Sequence, residues 1–315
     1  MPEPIHISIT ANAAYARYAA ITLWSLLAHT SSPVRVHLLD CGLNPVQHAA
    51  YRRLMTAHGD ASIEFAPCRP LLDRHPDIPE RYKTTLVRLT LPEVLPDVTR
   101  CLHLDSDLVV LDDVATLFAT PLDGHAVAAV TNLRTAEKHH VARSRWRWLH
   151  PKMVRQAREE AARLQRDAGL GALTEHINAG VLLLDLDVIR ARIGVERFGD
   201  LAAAGRLAQF DQDWIAGVAR GDILRLDPRW NTYSSMARLN LWAFPPDEKA
   251  ALERARARPA IVHFVGSKPW GPAKSHAAAR RRKRDPWVRA WRGAAAGMDA
   301  FLASHATDEA AALSL

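Results

Sequence analysis

Two aspartates stand two residues apart in the segment Leu102-His-Leu-Asp105-Ser-Asp107-Leu-Val-Val-Leu111. On an extended chain, side chains at that spacing point to the same side. Two carboxylates crowded together in an apolar setting repel each other and lose hydration, so a cation or a set of donors must neutralise them. Carboxylate oxygens suit hard divalent ions such as Mg²⁺ or Mn²⁺. The competing reading is a strand end whose aspartates cap the following turn. The apolar run on both sides raises the weight of the metal reading. Further along, Lys268 is a compact point charge suited to phosphate, and Gly266 lets backbone approach a ligand closely.

These residues need a scaffold, and the chain reads as alternating strands and helices. Pro4–Thr10 alternates apolar and polar residues as a strand does, Ala16–His29 reads as a helix, and Val34–Leu39 is a second strand. Asn44-Pro45 opens a helix running to about His58, with Asn as cap and Pro at the first helical position. Ser62–Phe65 is a short third strand, and Thr84–Leu95 reads as one helix ending at Pro96. Cys101–Leu111 reads as one long strand carrying both aspartates, and Val127–Thr131 as another. The rhythm breaks over 133–176, a segment rich in Arg, Trp and His that then turns helical, with Met153, Val154, Ala157, Ala161 and Leu164 on one face. Strands resume at Asn178–Leu186, Ile223–Leu226 and Ala260–Phe264, and a helix begins at Asp285. This order predicts an α/β layered fold with a mainly parallel sheet. Ligands of such sheets bind at the carboxyl ends of strands near a topological switch point.

Length and composition exclude several classes. At 315 residues with 48% hydrophobic and 24% charged residues, the chain can bury a large core without a disulfide or metal staple. Three cysteines are too few for a disulfide framework and point to a reducing compartment. No apolar window of spanning length exists, and no signal-peptide pattern opens the chain. The net charge of +7 is uneven: residues 133–176 net +5 and residues 268–292 net +8. That asymmetry points to an anionic partner, or in the first segment to a solvated helix face.

Asp105-Ser106-Asp107 in this setting resembles the metal-binding triplet of glycosyltransferase family 8, which includes bacterial lipopolysaccharide α-galactosyl- and α-glucosyltransferases and glycogenin. Three further segments agree in order. Ile177-Asn178-Ala179-Gly180 followed by Val-Leu-Leu-Leu resembles its Asn-Ala-Gly-Val strand, and Phe210-Asp211-Gln212-Asp213-Trp resembles its Asp-Gln-Asp helix start. Ile261-Val-His263-Phe-Val-Gly266-Ser-Lys268-Pro-Trp270 resembles its His-Phe-x-Gly-x-x-Lys-Pro-Trp segment, one residue shorter before the lysine. Thr85-Leu-Val-Arg88 matches a helix that carries a donor-contacting arginine. The resemblance covers about residues 5–272.

The resemblance implies a GT-A catalytic domain over 1–272, Rossmann-like, with a mixed, mainly parallel sheet flanked by helices and a helical insert at 133–176. A basic helical extension follows over 273–315. It implies a retaining hexosyltransferase that moves a hexose from a nucleotide-sugar, UDP-galactose or UDP-glucose, with Mn²⁺ or Mg²⁺ as cofactor. Asp105, Asp107 and His263 would hold the metal. Thr10, Asn12, Tyr15, Arg88, Ser106, Asn132, Asn178, Gly180, Gly266 and Lys268 fall at donor-contacting positions. Asp211 would hold sugar hydroxyls and Gln212 would lie beneath the anomeric carbon; Asp213 serves the sugar or caps its helix. The chain departs from the family at Asn12-Ala-Ala-Tyr15, where Asp-x-Asn-Tyr is usual. Asn keeps one acceptor and adds donors, and Tyr15 offers a face for the base. Asn132 stands where an acidic sugar-contacting residue is usual.

Arg143-Ser-Arg-Trp146-Arg-Trp148-Leu-His150 is an acceptor candidate, because tryptophans stack on sugar faces and arginines hold phosphate; the alternative is an amphipathic lid helix. The basic, Trp-containing run Arg280–Arg292 suits peripheral contact with an anionic membrane. The expected place is the cytoplasm, with attachment to the inner face of the cytoplasmic membrane. The acceptor is then a glycan or glycolipid such as lipopolysaccharide; a soluble small molecule or natural product is the second expectation. A non-enzymatic membrane- or nucleic-acid-binding protein is the third, and no nucleic-acid motif supports it.

Overall fold

The computed structural model describes residues 3–272, 284–304 and 312–313. Seven strands form the main sheet in the order β3-β2-β1-β4-β7-β6-β8. They are β1 (Ile5–Ala11), β2 (Val34–Asp40), β3 (Ala61–Pro67), β4 (Arg100–Leu104), β6 (Val127–Thr131), β7 (Ile177–Asp185) and β8 (Ile223–Arg225). Only β7 runs against its neighbours β4 and β6; the other four pairings are parallel. A second sheet has the order β5-β10-β9, from β5 (Leu108–Val110), β9 (Thr232–Tyr233) and β10 (Ile261–His263).

The long strand expected over Cys101–Leu111 is two strands in two sheets. β4 ends at Leu104, Asp105–Asp107 form a turn, and β5 leaves to pair with β10. The carboxylates therefore converge because a turn bends them together, not because an extended chain alternates.

Burial explains why β7 reads as an unbroken apolar run. Val181 and Leu183 enter one core, with Ile7, Ile9, Leu102 and Leu104. Leu182 and Leu184 enter the other, with Leu39, Cys101 and Val127. A strand covered on both faces needs no polar side. The first core also takes the helix Ala16–Leu27 and the tail helix Pro286–Ala303, through Val288, Trp291, Ala295, Met298 and Leu302. Asp285 caps that tail helix, accepting from the backbone of Trp287 and Val288. The basic run at 273–283 lies outside the described residues.

Two local expectations change. Over Thr84–Leu95 the chain is a helix at Glu80–Leu86, a 3₁₀ turn at Val87–Thr90 and a helical turn at Leu91–Val94. The tighter turn carries Arg88 inward. In the insert, a helix at Leu133–Arg143 precedes the insert helix Pro151–Ala168. On the insert helix Ala157 and Leu164 are buried, Ala161 is exposed, and Glu160 and Arg163 are half-buried. Among the described residues, no helix is long and apolar enough to cross a membrane.

Candidate active site

The site lies where the sheet order reverses. β1 pairs in parallel with β2 on one side and β4 on the other, so a crevice opens at their carboxyl ends. Thr10 and Asn12 sit at the end of β1, and Asp105 follows β4 directly. β7 runs the other way, so its start lies beside the end of β4, and the Asp105 N–H donates to the Gly180 carbonyl at 2.9 Å. β10 pairs with β5 so that His263 lies opposite Leu108, and the Phe264 N–H donates to the Asp107 carbonyl at 3.1 Å. Four segments far apart in sequence thus meet at one turn.

Asp105, Asp107 and His263 form a compact trio, each offering a ligand atom within 4.8 Å of the others. His263 Nε2 lies 3.2 Å from Asp107 Oδ1 and 3.7 Å from Asp105 Oδ2. The histidine tautomer follows from its other nitrogen. Asn178 Oδ1 accepts from the Gly180 N–H at 3.1 Å and from Asn231 Nδ2 at 2.7 Å. That turns Asn231 Oδ1 toward His263 Nδ1, 2.9 Å away, so Nδ1 carries the proton and the Nε2 lone pair faces the carboxylates. Two carboxylates and one imidazole lone pair, all largely buried, are a donor set that fits a divalent ion.

The charges are tightly balanced. Burial raises the proton affinity of Asp107, but His263 and Lys268 reverse that and hold its carboxyl well below the usual range. Lys268 Nζ pairs with Asp107 Oδ2 and donates to the Phe264 carbonyl. Arg88 is buried, and burial alone would lower its affinity for the proton; Asp105 and Asp211 overcome this. Its Nη2 reaches Asp105 at 2.6 Å, its Nη1 the Ala179 carbonyl at 2.7 Å and its Nε the Thr85 carbonyl at 2.9 Å. Asp211 lies 3.2 Å from the same guanidinium. Burial pushes the Asp211 carboxyl up to about 6, against the pull of Arg88 and with the help of Asp105.

Two adjoining compartments share Thr85, Arg88, Asp105 and Asn178. The larger, about 330 Å³, is lined by Thr10, Asn12, Tyr15, Ser106, Asp107, His263, Gly266 and Lys268. The smaller, about 180 Å³, takes Gly180, Gln209, Asp211 and Gln212. Tyr15 is exposed at the mouth, edge-on to Tyr18, which stacks on Trp270. Gly180 is required by close approach: a Cβ there would collide with the His263 ring and crowd Asp105. Gly266 has φ +85, the left-handed region that favours glycine.

The structure brings all the sequence-derived site residues to these compartments except Asn132. That residue caps the helix Leu133–Arg143, its Oδ1 accepting from Arg134 and Thr135. Asp213 turns away as well. It accepts the Gln209 N–H at the helix start and pairs with His176 at 3.0 Å and Arg163 at 2.5 Å. Burial raises its proton affinity, and these partners lower it below the ordinary value. Sequence reasoning missed Asn231, Gln209, His176 and the insert's Glu160 and Arg163. Asn231 stands in Trp230-Asn-Thr-Tyr233 with no motif to mark it.

Comparison with known proteins agrees with this geometry. The profile of the family described as "Glycosyl transferase family 8" matches residues 6–273. General stress protein A of Bacillus subtilis (strain 168) is 23% identical over 285 residues, 87% of this chain and 90% of that protein. Probable galacturonosyltransferase-like 3 of Arabidopsis thaliana is 25% identical over 246 residues, 74% of this chain and 66% of that longer protein, so the chain spans just under two thirds of it. Among solved structures, the galactosyltransferase LgtC in complex with donor and acceptor sugar analogues superposes with a TM-score of 0.68 at 21% identity, covering 93% of this chain and 96% of that one. The WbbM bifunctional glycosyltransferase gives 0.69 at 18% identity, covering 93% of this chain and 52% of that one. The superpositions establish the GT-A fold, and with the profile spanning nearly the whole described body, the chain belongs to glycosyltransferase family 8 and is a retaining hexosyltransferase.

Proposed function

We propose that this chain transfers a hexose from UDP-galactose or UDP-glucose, with Mn²⁺ (Mg²⁺ as the weaker alternative), to a glycan or lipid-linked glycan such as lipopolysaccharide at the cytoplasmic face of the membrane. The observation that carries this reading is the junction of the two compartments. The acidic trio faces the larger one, Gln212 faces the smaller one, and Arg88 ties Asp105 to Asp211 across the boundary.

In this reading Asp105, Asp107 and His263 hold the divalent ion, which when bound neutralises charge developing on the departing diphosphate. The oxygen-rich ligand set with one imidazole favours Mn²⁺ modestly. Lys268 adds a point charge at the phosphates. Tyr15 and Asn12 meet the base, and Asn178 and Asp211 accept or donate hydrogen bonds at sugar hydroxyls. Gln212 lies beneath the anomeric carbon and stabilises an oxocarbenium-like state. An amide is a poor nucleophile, so retention comes from acceptor attack on the leaving-group side and not from a double displacement.

The acceptor side is supported by the turn ahead of the insert helix. Trp148 is 67% exposed, beside half-exposed Trp146 and Leu149, with Arg145 over the Trp146 ring. Such aromatic and cationic surface suits a phosphorylated glycan. The test is donor hydrolysis with Mn²⁺ across UDP-, GDP- and dTDP-sugars. Turnover of a UDP-hexose above the others is expected, and silence across the panel overturns the reading.

A further inference from the structure

Gln212 is the centre of a chain of side chains whose hydrogen bonds all point one way. His263 Nδ1 donates to Asn231, Asn231 Nδ2 to Asn178, and Asn178 Nδ2 to Gln212 Oε1 at 3.1 Å. Gln212 Nε2 then donates to Gln209 Oε1 at 2.6 Å, and Gln209 Nε2 to Glu160 Oε1 at 3.2 Å. The chain runs from a metal-ligand candidate to a carboxylate on the insert helix.

An amide can face either way, so something must choose its orientation. A carboxylate only accepts, so Glu160 obliges Gln209 to present its NH₂ outward and its oxygen to Gln212. Glu160 is itself held by Arg163 at 2.9 Å and lies 3.7 Å from Lys138, which keeps it in place. At the opposite side of Gln212, the Ala179 N–H donates to Oε1 at 3.3 Å. Backbone thus holds one end of the amide and Glu160, through Gln209, holds the other; His176 Nε2, 3.3 Å from Gln212 Nε2, is engaged by Asp213 at 3.0 Å. The backbone is shaped for this: Phe210 has φ +46, a left-handed conformation costly for a bulky residue, with its ring against Tyr82. That turn sits between Gln209 and Asp211.

We propose that Gln209 and Glu160 are positioning residues that hold the Gln212 amide with its oxygen toward the anomeric centre. This rests on the role given to Gln212 above. The two halves of the chain are separable. Asn178 is oriented by the Gly180 N–H, so the His263 end does not depend on Gln209.

The test uses the full chain with Gln209→Met, Glu160→Leu, Glu160→Gln and Gln212→Ala. Hydrogen exchange of the Gln212 side-chain amide is followed by NMR in metal-free protein, and turnover and Mn²⁺ affinity are measured separately. Gln209→Met and Glu160→Leu should speed that exchange and lower kcat roughly tenfold, as is typical when an outer partner of a site residue is lost, with donor KM and Mn²⁺ affinity unchanged. Glu160→Gln keeps an acceptor oxygen, held toward Gln209 because the Arg163 guanidinium donates to that same position, and should restore both. Unchanged exchange and kcat in Gln209→Met overturn the proposal, as does loss of KM and Mn²⁺ affinity in step with kcat. If Gln212→Ala keeps wild-type turnover, the role given to Gln212 fails, while the exchange comparison still decides whether Gln209 holds it.

Discussion

Asp105-Ser-Asp107 and Asp211-Gln-Asp213 have the same spacing and do different things. The first lies in a turn between two sheets, and both its carboxylates meet His263. The second opens the helix Phe210–Val218, where residues two apart face opposite sides. Asp211 therefore reaches Arg88 in the site, and Asp213 reaches His176 and Arg163 behind it. The aspartates and their spacing are the same, so the backbone conformation alone separates two carboxylates that converge from two that diverge.

The sharpest way to break this comparison is to delete one carboxylate from each triplet. Asp107→Ala is expected to reduce metal-dependent donor turnover to background, with some loss of melting temperature, because it also removes the carboxylate that His263 and Lys268 balance. Chelation of wild-type protein should give the same loss, and added Mn²⁺ should reverse the chelation but not the substitution. Retained turnover in Asp107→Ala would remove the first triplet from the chemistry.

Asp213→Ala should act on stability while leaving the acidic trio intact. It takes the carboxylate from buried His176, while half-buried Arg163 keeps Glu160 at 2.9 Å; leaving a buried donor without its acceptor costs about 1–3 kcal/mol. Denaturant unfolding would measure it. A loss below about 1 kcal/mol would mean that the triad is no better than a surface pair.

The smallest effect separates the two carboxylates of the second triplet by pH. Asp211 is raised to about 6 by burial, so the folded protein holds that proton more tightly than the unfolded chain. Its favourable contribution is present in acid and is lost as pH rises through about 6. Asp213 is lowered, so its contribution is present above the ordinary value of 3.8 and is lost as pH falls through the lower folded value. Carboxyl ¹³C titration should give two midpoints on opposite sides of 3.8, and coincident midpoints would erase the distinction.

Much of this was legible in the amino-acid sequence. Apolar runs and Gly, Pro and Asn punctuation marked the strands of the main sheet and the Asn44 cap, because those signals are local. The four motif segments marked the site because each carries its chemistry in adjacent residues. What stayed hidden depends on tertiary pairing. The break of Cys101–Leu111 into two strands arises from the pairing of β5 with β10, which no local pattern announces. Asn231 matters only because β9 lies beside β10, and Glu160 only because the insert helix packs near Gln209. Asn132 occupied the expected place in order but spends its oxygen on a helix cap, a use open to any Asn ahead of a helix.

The turn at Asp105–Asp107 is also a crossing point between the two sheets. An ion held by residues 105, 107 and 263 closes a loop of roughly 160 residues, and ties the main sheet to the smaller one at their shared edge. Such a tie would act by mass action: the ion binds the folded site and not the unfolded chain, so the fold gains when it is present and loses when it leaves. Were an ion bound there, resistance to unfolding would follow its free concentration, and starvation for metal would loosen the molecule as well as silence it.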